Sequence, residues 1–150
     1  MRSEPSAAWS QPLQRYATLF ELLTPALLPD LAALLAENVT FRDPFNAIAG
    51  RASVIGIFRH MFESLEAPSF LILDRAIGTG ACYLRWRMQF RRRLRPQLWQ
   101  IEGISEVVFD ADGLVLSHID HWDAASQLYE HVPVLGAMLR LAKRRLAARP

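Results

Sequence analysis

"LWQIEGISEVVFDADGLVLSHIDHW", residues 98–122, is the stretch on which the fold turns. Two apolar-rich runs flank Asp112-Gly113, a dipeptide that favours a tight hairpin turn. In the first run Trp99, Ile101, Gly103, Ser105, Val107 and Phe109 share one face, and it is the drier one. The second run is apolar on both faces, so its own pattern does not orient it. The hairpin does. A two-residue turn pairs Ala111 with Leu114, and counting back sets Val107 opposite His118, Ser105 opposite Asp120, and Gly103 opposite Trp122. Opposed residues share a face. His118, Asp120 and Trp122 are therefore expected inside with Ser105, Trp122 packing over Gly103, and His121 outside.

The neighbouring stretches fit this frame. "CYLRWRMQF" (82–90) alternates, with Leu84, Trp86, Met88 and Phe90 inward and Arg85, Arg87 and Gln89 outward. "FLILDRAI" (70–77) precedes it across a turn at Gly78-Thr79-Gly80. Near the start, Leu13, Tyr16, Ala17, Phe20 and Leu23 recur at helical spacing and predict a helix from about 10 to 23. Thr24-Pro25 ends it, since a residue before proline avoids the helical region. "PDLAALLAEN" predicts a short second helix with Asp30 as its N-cap. In "VTFRDP" (39–44), Val39, Phe41 and Asp43 share a face. Asp43 is thus expected to end a strand and point inward, where a carboxylate needs a reason to be. A third helix is predicted over 52–65, with Ile55, Phe58, Phe62 and Leu65 as its stripe. Asp123 reads as the N-cap of a last short helix. Helices, a strand, a helix, then four strands in hairpin order make an α+β fold, its helices packed on one face of a curved antiparallel sheet.

The 150 residues, about half of them apolar, suit a single domain spanning 1–150, with a core over about 10–131 and a tail over 134–150. A formal charge of +2 gives no global field for nucleic acid, so no nucleic-acid partner is expected. The basic residues cluster as Arg91, Arg92, Arg93 and Arg95, and again as Arg140, Lys143, Arg144, Arg145 and Arg149. Both clusters read first as solvated surface. In the tail, Leu135, Met138, Leu139, Ala142 and Leu146 form a stripe that suits a partner groove, the domain's own surface or, weakly, an anionic membrane. A membrane role is not the expectation, and no run is long enough to span a bilayer. Cys82 is alone, which excludes an intrachain disulfide and any multi-cysteine metal site. The first residues carry no apolar signal-peptide core, and a cytoplasmic location is expected. His118 and His121 lie on opposite strand faces and cannot share an ion, so neither a metal nor another cofactor is expected.

"QRYATLF" (14–20), "ENVTFRDPFNAIAG" (37–50), the arginine-alternating strand and "SHIDHWDAASQLYE" (117–130) resemble the nuclear transport factor 2-like superfamily, and within it the SnoaL-like and ketosteroid-isomerase-like branch. The resemblance implies a cone-shaped fold, the cystatin-like roll, in which a bent sheet and about three helices enclose a pocket. It also implies a homodimer formed through the sheet. Ketosteroid isomerases keep a general-base aspartate in a strand-ending "DP" motif, which Asp43 matches. Their oxyanion tyrosine sits in a similar "RY" context, matched by Tyr16. At the position of their protonated acid this chain has Ser105, a weaker and shorter donor. They also carry a further tyrosine where this chain has Phe58-Arg59-His60. These departures count against steroid isomerisation as such. SnoaL-like cyclases place an acid-base aspartate on the final strands, where Asp120 stands beside His118. Epoxide hydrolases of this fold use an Asp-Arg-Asp set around a water, and Arg85 and Arg87 face the wrong way for that. The resemblance thus implies an isomerase or cyclase acting on a small apolar carbonyl compound. Asp43, Tyr16, Asp120, His118 and Ser105 would be the catalytic candidates, with Trp86, Met88, Phe62 and Trp122 as pocket walls. The alternative is a non-catalytic small-molecule binder or dimeric interaction module of the same fold.

Overall fold

The computed structural model describes residues 5–131 and 133–147; the first four residues, Val132 and the last three, Arg149 among them, lie outside the described residues. Helix α1 (Pro5–Leu22) carries the expected stripe and buries Leu13, Tyr16, Ala17 and Phe20. A 3-10 turn (Pro25–Leu27) leads into α2 (Leu28–Ala33). This helix begins earlier than its sequence suggests. Leu27 occupies the N-cap without a side-chain bond, and Asp30 sits in the first turn, where a carboxylate still complements the helix dipole. It also ends earlier: Leu35 to Asn38, expected as helix, are the start of strand β1 (Leu35–Arg42). The short β2 (Ala47–Ala49) returns along β1, an element too brief to leave a pattern in the sequence.

After α3 (Arg51–Ser64) come β3 (Leu65–Ile77), β4 (Cys82–Arg92), β5 (Leu98–Phe109) and β6 (Val115–His121). Then follow α4 (Ala124–Gln127), a 3-10 turn (Tyr129–His131) and α5 (Pro133–Leu146). Asp123 caps α4 as expected, Oδ1 accepting from the Ser126 amide at 3.0 Å. The sheet order is β2-β1-β6-β5-β4-β3, antiparallel throughout except for the parallel β1–β6 pair. The fold is α+β, a curved open sheet with α1 and α3 laid across one face.

Alternation decides what faces those helices. Cys82, Leu84, Trp86, Met88 and Phe90 of β4 are buried, as are Ile101, Ser105, Val107 and Phe109 of β5. Arg85 and Arg87 lie on the outer face and pair with Glu102 at 3.9 and 2.8 Å. His121 is outside too, 3.6 Å from Glu106.

The β5–β6 register is the expected one in the middle: Val107 pairs with His118 and Ser105 with Asp120. It is reached by a different route. At the turn Phe109 pairs with Val115, closing a five-residue loop in place of the expected two-residue turn. Carried along the strands, that register would set Val107 opposite Ser117 and turn His118 outward. A bulge restores the facing, because Val108 pairs with Ser117 and leaves Leu116 as the extra residue. Gly113 at φ 78 and the Asp110 carboxylate, which accepts from the Asp112 and Leu114 amides at 2.9 Å each, shape the loop.

Candidate functional site: an aspartate fed by two donor chains

Among the described residues His118 and Ser105 are the buried polar residues of the core, each 3% exposed. They meet at Asp120. Asp120 Oδ1 accepts from His118 Nε2 at 2.7 Å and from Ser105 Oγ at 2.5 Å. Behind each donor stands another. Trp86 Nε1 donates to Ser105 Oγ at 2.9 Å, and the Tyr16 hydroxyl lies 2.7 Å from His118 Nδ1. Four elements bring the set together: α1 supplies Tyr16, β4 supplies Trp86, and the register of β5 against β6 aligns Ser105 with His118 and Asp120.

Proton positions follow from chemistry. Burial pushes the Tyr16 phenol well above its ordinary range, and the Asp120 carboxylate pushes it the same way. Tyr16 therefore keeps its proton and is able to donate it to Nδ1. A carboxylate can only accept, so Nε2 carries a hydrogen, and a neutral imidazole there accepts from Tyr16 at Nδ1. Both chains then run one way, Tyr16 to His118 to Asp120 and Trp86 to Ser105 to Asp120. The His118 ring is fixed by its surroundings, with ring centroids of Phe41 at 5.1 Å, Tyr16 at 5.7 Å and Phe20 at 5.9 Å.

Only one oxygen of Asp120 is consumed. Among the described residues none donates to Oδ2, and none of their buried polar side-chain atoms lacks a partner, so Oδ2 is not sealed away. Asp120 is one of three polar residues on a cavity walled otherwise by Phe20, Phe58, Phe70, Ile72, Leu84 and Trp86. Its volume is about 30 Å3, room for a water molecule or two. A carboxylate with one oxygen pinned and the other without a donor, in a residue that lines an apolar cavity, is arranged to accept a proton.

The sequence profile of the SnoaL-like domain matches residues 16–118, more than half of the chain. The chain belongs to the SnoaL-like domain family. Solved structures share its fold at low identity. One is a nuclear transport factor 2-like protein of unknown function from an Exiguobacterium species, at 17% identity and a TM-score of 0.65, covering 75% of this chain and 98% of its own. A second is a hypothetical protein with a ketosteroid isomerase-like fold from Catenulispora acidiphila, solved with trimethylamine, at 14% identity and 0.68, covering 79% and 90%. A third is an epoxide hydrolase from M. tuberculosis resembling limonene-epoxide hydrolase, at 13% identity and 0.68, covering 99% and 100%. No curated protein sequence matches the chain.

In this SnoaL-like protein the structure joins four of the five catalytic candidates, Tyr16, Ser105, His118 and Asp120, and leaves Asp43 out. Asp43 lies just past the end of β1, and its carboxylate is taken by its own turn. Oδ1 accepts from the amides of Phe45 at 2.7 Å and Asn46 at 2.6 Å, and Asn46 Nδ2 reaches both oxygens at 3.1 Å. The alternation that placed Asp43 inside stops with the strand, and Pro44 marks an aspartate-initiated turn. Of the expected walls, Trp86 lines the cavity. Met88 belongs to a second apolar cluster with Phe90 and Ile101; Trp122 sits at the edge of that cluster against Phe45, and Phe62 packs at the edge of the main core. Gly103 is covered by Trp86 rather than by Trp122. Phe20, Phe58, Phe70, Ile72 and Leu84 were not foreseen as walls. The inward positions of Phe20, Phe58 and Leu84 were legible, but not the facing of the 70–77 strand or the convergence of all five on one point.

Proposed function

We propose that this SnoaL-like protein is an acid-base enzyme, an isomerase or cyclase, acting on a small apolar carbonyl compound, with Asp120 as the proton-accepting residue. One observation carries the reading: two donor chains converge on Oδ1 of Asp120, a residue that lines an aromatic cavity, and Oδ2 has no donor among the described residues. His118 and Ser105 hold the carboxylate, and Tyr16 and Trp86 hold them. Oδ2 takes a proton from the carbon next to the carbonyl, and the same oxygen returns it elsewhere on the substrate. Entry of a ketone requires the cavity to widen, since as it stands it has room only for a water molecule or two. A cytoplasmic homodimer joined through the outer sheet face, where Leu71, Tyr83 and Ile104 are exposed, is part of the same reading.

The test is exchange of ketone α-protons for deuterium from D2O, followed by NMR over a panel of cyclic and polyketide-like ketones. Asp120→Asn preserves the shape and removes the base, and should lower exchange by about 10²- to 10⁴-fold. Asp43→Asn should leave it unchanged. No exchange above the buffer rate by the unaltered protein, across the panel, sinks the enzymatic reading.

A second reading is a non-catalytic binder whose buried network fixes core geometry, and the small cavity volume favours it. Tyr16, Ser105 and Trp86 are all committed to the network, so no spare donor awaits an oxyanion. Ligand-dependent quenching of Trp86 fluorescence without exchange is its signature.

A further inference from the structure

Helix α5 takes no part in the candidate site and meets the domain along one side. Its side toward the domain is defined by Gly136, which is buried, and by Lys143, which bonds Ser126 and lies 3.9 Å from Asp123. These two residues are seven apart, two helical turns, and so share a face. At 100° per residue Val134, Met138 and Leu141 fall on the opposite side, with Arg145 among them. Val134 is 75% exposed, Met138 64% and Leu141 54%. The helix thus turns Val134, Met138 and Leu141 away from the domain, while Leu135, Leu139, Ala142 and Leu146 of the stripe read from the sequence lie along its flank, against the usual arrangement of a globular surface helix with its apolar side inward.

Charge is segregated in the same way. Residues 133–150 hold five basic side chains and no acidic one; with a formal charge of +2 for the whole chain, residues 1–132 stand at −3. Such a molecule presents its basic helix to an anionic plane and keeps its acidic body away. Arg145 decides between a lipid surface and a dry protein groove. In a groove it would be a charge buried in the middle of an apolar face. At a bilayer interface its long stem lies along the acyl region while the guanidinium reaches the phosphates. Fourteen helical residues span only about 21 Å, and no described helix is long and apolar enough to cross a membrane, so the contact is peripheral.

We propose that α5 docks this protein on an anionic phospholipid surface, with Val134, Met138 and Leu141 inserted and Arg144 and Arg145 on the headgroups. Flotation of the full-length protein with phosphatidylglycerol-containing vesicles tests this, with pure phosphatidylcholine vesicles as the comparison. Binding to the anionic vesicles alone, released by high salt, is expected. Each removed charge weakens partition about fivefold, so Arg144→Gln with Arg145→Gln lowers it about 30-fold. Met138→Glu with Leu141→Glu abolishes it while circular dichroism stays unchanged. Absence of binding to the anionic vesicles overturns the proposal. So does binding that survives both double substitutions. Self-association that Met138→Glu with Leu141→Glu dissolves, in a protein that ignores vesicles, would assign the helix to a second copy instead.

Discussion

Replacing Tyr16 by Phe removes one oxygen from the most buried polar contact in the protein. Tyr16 is 1% exposed and His118 3%. The aromatic packing survives, because the ring keeps its edge contacts with Phe20 at 4.9 Å and Phe109 at 6.3 Å. What is lost is a hydrogen bond, and His118 Nδ1 is left as a buried acceptor without a donor. Together these cost about 2 kcal/mol. For a chain of this size that lowers the melting temperature by about 4–8 °C, and urea unfolding should show it with an unchanged slope. The difference has a predictable pH dependence. The folded-state pKa of Tyr16 is raised above its ordinary 10.0, so its stabilising contribution is complete below pH 10 and is lost as pH rises beyond it. The unaltered protein then loses about 1.4 kcal/mol per pH unit that the Phe variant does not lose. The gap should shrink from about pH 10 and close near pH 11.5, about 1.5 units higher. Cys82 titrates in both proteins and cancels. Equal midpoints at pH 7, or a gap that stays constant through pH 11.5, would refute the buried Tyr16–His118 bond.

Three further outcomes follow from the same geometry. Gly103→Ala places a methyl 2.6 Å from the Trp86 ring and 2.8 Å from the His121 carbonyl oxygen; it should destabilise by about 1–3 kcal/mol in urea and change Trp86 fluorescence as the ring leaves Ser105. Burial pushes the Cys82 thiol up to about 11 from 9.0, so its contribution is full below pH 9 and lost between pH 9 and 11. The stability of Cys82→Ala should therefore decline less over that window, by on the order of 2 kcal/mol, and the native thiol should resist alkylating reagents until urea unfolds the chain. Ser105→Ala removes one of the two donors on Asp120 Oδ1 and strands the Trp86 indole N–H; it should cost about 1–3 kcal/mol, whereas Ser105→Thr, which keeps the hydroxyl, should recover part of it.

The strands were legible because period-two alternation is strict where one face is dry and the other wet. β4 and β5 read correctly residue by residue, down to the outward Arg85 and Arg87. The second helix was misread because "LLAEN" is apolar at a spacing that suits either state, and pairing of Leu35 with Val115 settles it as strand. Asp43 was misplaced for a related reason. Alternation says where a side chain points only while the strand lasts, and a residue before proline can equally open a turn.

The polar core shows how a correct facing can rest on an incorrect turn. The registers set by the expected turn and by the observed loop differ by one residue, enough to send His118, and with it Asp120, to the outer face. The bulge at Leu116 cancels that shift, so the register that counts is the one beyond it. Its position has a physical logic. Val107 and Val115 are fully buried, so the interior accepts an unpaired residue only near the loop, where the ladder is already ending. The bulge therefore does two jobs with one residue: it lets the Asp110–Leu114 loop take its preferred shape, and it keeps Ser105 opposite Asp120. Deleting Leu116 should remove the bulge and make the Phe109–Val115 and Val108–Ser117 pairs consecutive, which keeps His118 and Asp120 in the core and the Tyr16 and Trp86 contacts intact. That chain should therefore unfold at higher urea than the Tyr16→Phe variant. A Leu116 deletion less stable than Tyr16→Phe would mean that the bulge itself, and not the register on either side of it, holds the buried network in place.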